Sequence, residues 1–246
     1  MTRRVLLAMA LECAFVATMR AQAPAAALPP SAVSRTAYSK NTELFAEWQP
    51  LVVGQAARLT AHLTRIVDRF KPYAEGKVTL TLTISGVTAT AATDGPERPG
   101  VFRLDVAPTK AGAGRVVIDV VAPTGPEHFV IDDVTVYANV QAALTSQPPE
   151  EKGLISYTKE RSWEADFATS PVTVYFPGAA HIITVPSTAI VRDGATAHVY
   201  VQRTPERFEF REVTTRRTIG SAIEIVSGLR DGERVVVRGA DKMPRE

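Results

Sequence analysis

The chain is poor in the residues that most often announce chemistry. It holds a single cysteine, Cys13, near its start, and four histidines, His62, His128, His181 and His198, well separated from one another. Cys13 lies in an N-terminal apolar segment, so the rest of the chain can form no disulfide, no thiolate metal site and no cysteine nucleophile. Of the four methionines, Met1, Met9 and Met19 fall in that same segment and Met243 lies near the tail, which rules out a thioether cluster for a soft metal ion. Neither sign of charge dominates: 28 Lys and Arg stand against 26 Asp and Glu, for a formal net charge of +2. Nucleic-acid binding leaves a concentrated basic face. Here the basic residues are interleaved with acids, so no nucleic-acid partner is expected. The densest internal basic spot, "TTRRT" at Thr214–Thr218, reads as a solvated loop. Glycine-rich phosphate loops and a G-x-S-x-G elbow are missing too, and the glycines of "TKAGAG" open no helix. Beyond residue 30 no window carries a convincing helical stripe.

The acidic groups assemble no catalytic pattern. Glu150–Glu151 falls in a linker, Asp132–Asp133 on a strand, and the acids of "KERSWEAD" (159–166) at alternating strand positions. Hydrolysis by general acid and base needs paired acids held in a cleft, and no calcium-loop pattern follows the aspartates. Zinc wants three or four convergent ligands, and each histidine stands alone in sequence. The reading is therefore of a chain that is not an enzyme, with no catalytic, cofactor-binding or metal-binding residue assigned and no cofactor. Trp48 and Trp163 read as packing anchors, with Trp163 partly exposed at a partner surface.

What the sequence does contain begins at its N-terminus. "MTRR" is followed by the apolar run Val5–Met19 and by small-residue cleavage patterns ending at Ala23 and Ala27. This is the layout of a signal peptide over 1–27. A transmembrane helix needs about 20 apolar residues, and the run falls short of that, which makes an uncleaved anchor the minor alternative. An exported chain without cysteine suits a periplasm. A flexible tether is expected over 28–42, where Ala, Pro and Ser abound.

From Glu43 onward, strands and turns alternate. In "KVTLTLTISG", Val78, Leu80, Leu82 and Ile84 alternate with threonines, which puts the aliphatic set on one face of a strand. Leu59, Ala61 and Leu63 do the same in "ARLTAHLTRI". "VFRLDVAP" and "RVVIDVVAP" end at prolines, and "HFVIDDVTVYA" reads as one long strand with an irregularity at Asp132–Asp133. Short strands at this spacing predict an all-β fold, an immunoglobulin-like sandwich of about seven strands over 43–142, with a small barrel as the alternative. "ALTSQPPEEK" marks a linker over 143–152. A second, small β domain is expected over 153–242, with "AHVYVQ" and "FEFREV" forming a hairpin across "RTPER".

Three stretches in order resemble one family. "ELFAEWQPLVVGQAARLTAHLT" (Glu43–Thr64) is similar to the N-terminal β domain of periplasmic adaptor subunits. These are the HlyD-like membrane fusion proteins, here closest to those of heavy-metal efflux pumps of the resistance-nodulation-division (RND) class. "GLISYTKERSWEADFATSPV" resembles the strand that opens the adaptor core. Val185–Ala240, with "VP..AI" and "GL.DGE.VV..G", resembles the adaptors' membrane-proximal domain. The departure is that only "TVYFPGAAHIIT" stands where such adaptors carry a β-barrel, a lipoyl-like domain and an α-helical hairpin. The resemblance implies a truncated adaptor in the periplasm, associated with the inner membrane. Its implied partners are an inner-membrane RND pump and other adaptor copies. Without the hairpin, contact with an outer-membrane channel is not expected. It further implies that residues 154–167 pair with strands of 182–240 in one sheet. The alternative is a free-standing periplasmic metal- or ligand-binding β-sandwich module.

Overall fold

The computed structural model describes residues 32–146, 151–175 and 181–245. The expected signal peptide lies outside the described residues.

The fold is all-β, with strands throughout and two short α-helices among the described residues. The first unit contains β1 (Val33–Tyr38), β2 (Thr42–Trp48), β3 (Leu51–Val52), β4 (Ala57–Arg65), β5 (Lys71–Pro72), β6 (Lys77–Ile84) and β7 (Val87–Thr93). It continues with β8 (Val101–Val106), β9 (Gly112–Ala122), β10 (Gly125–Tyr137) and the helix α1 (Val140–Thr145). The strands form two five-stranded sheets. One runs β1-β2-β4-β5 with β8 also on β4, and the other runs β3-β10-β9-β6-β7. Their apolar faces meet in one core. Val78, Leu80, Leu82 and Ile84 from β6 are buried there against Leu44, Ala46 and Trp48 from β2 and Leu59, Ala61 and Leu63 from β4. The period-two pattern of these strands dictates that arrangement, because alternate side chains leave opposite faces of a strand. The irregularity at Asp132–Asp133 is a β-bulge: the register with β9 shifts between Ile131 and Val134, and Asp133 takes a φ of 60°.

Two expectations are corrected here. Val33–Tyr38, inside the stretch read as a tether, is a strand fully paired with β2, from Val33↔Trp48 to Tyr38↔Glu43. Its Val, Thr and Tyr are good strand formers, and Val33 and Ala37 pack on the core. Residues 28–31 lie outside the described residues. The first residues read as a linker belong to α1, which starts at the N-cap Asn139, whose side chain accepts a hydrogen bond from the Ala142 N–H at 2.9 Å.

The second unit contains β11 (Ile155–Ser156), α2 (Lys159–Glu164), β12 (Ala168–Pro171), β13 (Thr173–Tyr175) and β14 (Ile182–Pro186). It closes with β15 (Val191–Asp193), β16 (Thr196–Thr204), β17 (Arg207–Ile219), β18 (Ala222–Ser227) and β19 (Arg234–Arg238). These make one nine-stranded sheet, ordered β12-β19-β16-β17-β18-β14-β13, with β11 on β17 and β15 on β16. The long strand β17 carries register shifts at Thr214/Thr215 and Thr215/Thr218, which allow it to serve two neighbours that diverge. The arginines of "TTRRT" therefore sit on a strand, not in a loop, and both Arg216 and Arg217 reach Glu224. An aliphatic core around Val185, Val199 and Val235 lies beside an aromatic one. In the latter Tyr157 stacks on Phe167, with centroids 5.3 Å apart, and Phe208 meets both rings edge-on.

The segment before the break does join the strands after it. Ile155 pairs with Phe208, and β12 pairs with β19 from Ala168↔Arg238 to Pro171↔Arg234. Between these two pairings the chain is not extended, as the sequence pattern suggested, but helical. Thr158 caps α2, Glu160 lies in its first turn, and Lys159, Ser162 and Trp163 face inward at positions i, i+3 and i+4. On the far side of the sheet, β13 and β14 pair antiparallel, with Tyr175 opposite Ile182. The two ends of the segment between them are thus neighbours.

Candidate functional site

Strand β2 is buried at nearly every position, including both of its faces. Leu44, Ala46 and Trp48 fill the sandwich core. The alternate set, Glu43, Phe45 and Glu47, points the other way, together with His62 and Thr64 from β4, since Phe45 pairs with His62 and Glu43 with Thr64. This outer face is covered by α2. The Trp163 indole N–H donates to Thr64 Oγ1 at 2.9 Å, and Lys71 Nζ donates to the Trp163 carbonyl at 2.7 Å. The Lys159 ammonium pairs with Glu43, both fully out of reach of water, and the second Glu43 oxygen accepts from Tyr38 Oη at 3.1 Å. Arg98 donates to Glu160 at 2.5 Å. Trp163 is therefore buried at an intramolecular junction, not exposed on a partner surface. Gly100 makes room for it: a Cβ there would lie 2.4 Å from the indole and 2.7 Å from Pro72, and the φ of 83° disfavours any side chain.

His62 lies in the middle of this junction, 5% exposed, with its ring 5.4 Å from Phe45 and 6.1 Å from Trp163. Nε2 is 3.3 Å from a carboxylate oxygen of Glu47. Nδ1 is buried and has no hydrogen-bond partner among the described residues. A ring nitrogen of His62 and one carboxylate oxygen each from Glu160 and Glu206 lie within 4.8 Å of one another. Glu160 comes from the first turn of α2. Glu206 comes from the tight turn of the β16–β17 hairpin and also accepts the Lys159 backbone N–H at 2.6 Å. Burial pushes the Glu206 carboxyl above its ordinary range, and the charges of Glu47 and Glu160 add to that, against the Lys159 N–H and His62. Burial also pushes Glu160 up, but its own backbone N–H, the Arg98 hydrogen bond and the charge of His62 outweigh it and hold the group below the usual carboxylate range.

The structure does not bring the four histidines together. His128 is on β10, exposed, with Nδ1 2.7 Å from Asp119, and His198 on β16 stacks on Phe210 at 4.5 Å. His181 immediately precedes β14. Of the acids that assembled no catalytic pattern, Asp132 pairs with Arg115 on the surface and Glu151 faces Arg203 at 3.6 Å, whereas Glu160 is half-buried at the junction. Glu150 lies outside the described residues. Sequence reasoning missed Glu160 and Glu206 as neighbours of His62. The one signal that points to α2, and so to Glu160, is the i, i+3, i+4 spacing of Lys159, Ser162 and Trp163; nothing local points to Glu206. Lysine and serine hide that stripe from a hydropathy pattern.

With this geometry in place, comparison with known proteins bears on residues 183–240 of the second unit. Residues 183–240 match the family described as the CzcB C-terminal circularly permuted SH3-like domain. The end of the chain is thus similar to the C-terminal domain of CzcB, which bears out the resemblance to membrane fusion proteins of heavy-metal efflux pumps read from Val185–Ala240. Among solved structures, one similar chain is a 180-residue piece of SilB from Cupriavidus metallidurans CH34, spanning an N-terminal metal-binding site and the membrane proximal domain. It is 34% identical over 29% of this chain and 39% of that one, with a TM-score of 0.27. ZneB from Cupriavidus metallidurans is 16% identical over 74% of this chain and 40% of that one, with a TM-score of 0.23. The matched region thus covers about two-fifths of either relative. No curated protein sequence matches the chain.

Proposed function

We propose that this protein is a non-enzymatic periplasmic adaptor of an RND-type efflux system, exporting heavy-metal cations, in a short form. The short form docks on the inner-membrane pump through its membrane-proximal domain and does not reach the outer-membrane channel. The single observation that carries this reading is the β13–β14 hairpin. The chain passes from Tyr175 to Ile182 between directly paired residues, at the place where adaptors of this kind carry their barrel, lipoyl-like domain and helical hairpin. A domain inserted between adjacent strands has ends that are close in space, so its loss leaves the sheet intact. An apolar row beside this hairpin fits the same reading. Tyr175 and Val226 are 54% and 58% exposed, and Val226 follows Ile225, the partner of Ile183. Such a row favours contact with another protein surface. Among the described residues no helix is long and apolar enough to cross a membrane.

The test is capture of an RND pump from detergent-solubilised inner membranes of the source cells by the purified, tagged chain. Retention of the pump supports the docking role. Absence of the pump under conditions where a full-length adaptor retains it refutes that role.

A further inference from the structure

We propose that His62, Glu160 and Glu206 form a binding site for one divalent cation of the zinc type at the junction of the two units. The inference stands on the geometry of the junction and does not depend on docking to a pump. Three observations carry it. First, the three donors converge within 4.8 Å although they come from three different elements: β4, the start of α2 and the β16–β17 turn. Second, the imidazole is buried with Nδ1 left without a partner, while Nε2 faces Glu47. A metal-binding histidine typically donates its other ring N–H to a carboxylate, which fixes the tautomer and turns the free lone pair toward the ion. Glu47 occupies that orienting position. Third, the charges are unbalanced. Glu47, Glu160 and Glu206 surround one imidazole. Arg98 engages Glu160, and Lys159, the ammonium beside them on α2, is already committed to Glu43. Gathered carboxylates with little to neutralise them favour a cation.

The donor set defines the class of ion. One imidazole nitrogen with two carboxylate oxygens suits Zn2+ or a similar borderline ion, with bonds of about 2.0–2.2 Å and a fourth position open to water. It does not suit Cu+, which takes soft sulfur donors. The 4.8 Å grouping is wider than a closed shell around such an ion. Closing it requires Glu160 and Glu206, both half-buried, to turn toward His62 while Arg98 and the Lys159 N–H hold one oxygen of each. Because His62 belongs to the first unit and the two glutamates to the second, the bound ion would cross-link them.

Calorimetric titration of the purified full chain with Zn2+ alone, after chelator treatment, decides the matter. The expected result is one equivalent bound with a Kd of about a micromolar or tighter, undisturbed by excess Mg2+. Glu206→Gln and His62→Gln should each weaken binding by about tenfold or more, as expected when one ligand of a metal site is lost. His128→Gln, on the exposed face of β10, should leave it unchanged. Saturating Zn2+ should also raise the Tm of the unaltered chain and not that of Glu206→Gln. If His62→Gln fails to fold, Glu206→Gln decides alone, since its side chain sits in a turn. Absence of saturable binding, or full binding retained by Glu206→Gln, overturns the proposal.

Discussion

Lys159 and Glu43 carry the sharpest prediction at the scale of single residues. Both charges are withdrawn from water and satisfy each other across the junction. Lys159→Ala strands a buried carboxylate, and removal of one partner of such a pair costs about 3–5 kcal/mol. Urea unfolding should show that loss, and Lys159→Met combined with Glu43→Gln should recover much of it, because no unpaired charge then remains. Gly100→Ala should also destabilise the chain, by about 1–3 kcal/mol, because the new methyl meets the Trp163 ring on a backbone held at positive φ. Its tryptophan fluorescence should report a more solvated indole. A third residue is sensitive to pH. The Arg211 hydrogen bond holds the Glu209 carboxyl below its ordinary range. A lowered folded-state pKa adds stability above the unfolded-state value and loses it as pH falls through the folded one. The urea midpoint of the unaltered chain should therefore fall between about pH 5 and pH 3, and Glu209→Gln should fall less over that interval.

At the scale of elements, the β13–β14 hairpin and the helix α2 behave in opposite ways. The hairpin sits at an edge of the nine-stranded sheet, with Tyr175 opposite Ile182. A compact domain with adjacent ends, inserted between those two residues, should leave the thermal midpoint within a few degrees. A proline at Ser162 in α2 should instead loosen the whole junction, since that helix carries Lys159, Glu160 and Trp163 on one turn and a half. Much of this was legible beforehand and some was not. The strands of the sandwich core declared themselves, because Val78, Leu80, Leu82 and Ile84 alternate with threonine. So did the β10 bulge, through its paired aspartates, and the β16–β17 hairpin, through Pro205 and its charged neighbours. Strand β1 was hidden by the alanines and prolines before it, although its own residues favour a strand. Helix α2 was hidden because its inward stripe is Lys, Ser and Trp, and the lysine is buried only because Glu43 waits for it more than a hundred residues earlier in the chain. The grouping of His62 with Glu160 and Glu206 was illegible for the same reason: no local pattern encodes a meeting of three elements from two units.

Taken whole, the molecule is two β units joined across a face that is built mainly of polar contacts: Lys159–Glu43, Trp163–Thr64, Lys71–Trp163, Arg98–Glu160 and, nearby, the Arg234 guanidinium 4.4 Å above the Tyr38 ring. The first unit, produced by itself over residues 32–146, should remain soluble yet unfold at a lower temperature than the full chain, because Phe45 and His62 lose their cover. Differential scanning calorimetry of the two forms measures that difference.

The outward face of β2 has a consequence for how the chain comes to be. A polypeptide made from its N-terminus shows its beginning to water long before its end arrives. Had this face been aliphatic, the newly made sandwich would display a greasy plate to every neighbour during that interval. Around Phe45, two glutamates, a histidine and a threonine keep the plate wettable, so the early half can wait unaccompanied until the later half arrives to latch it shut.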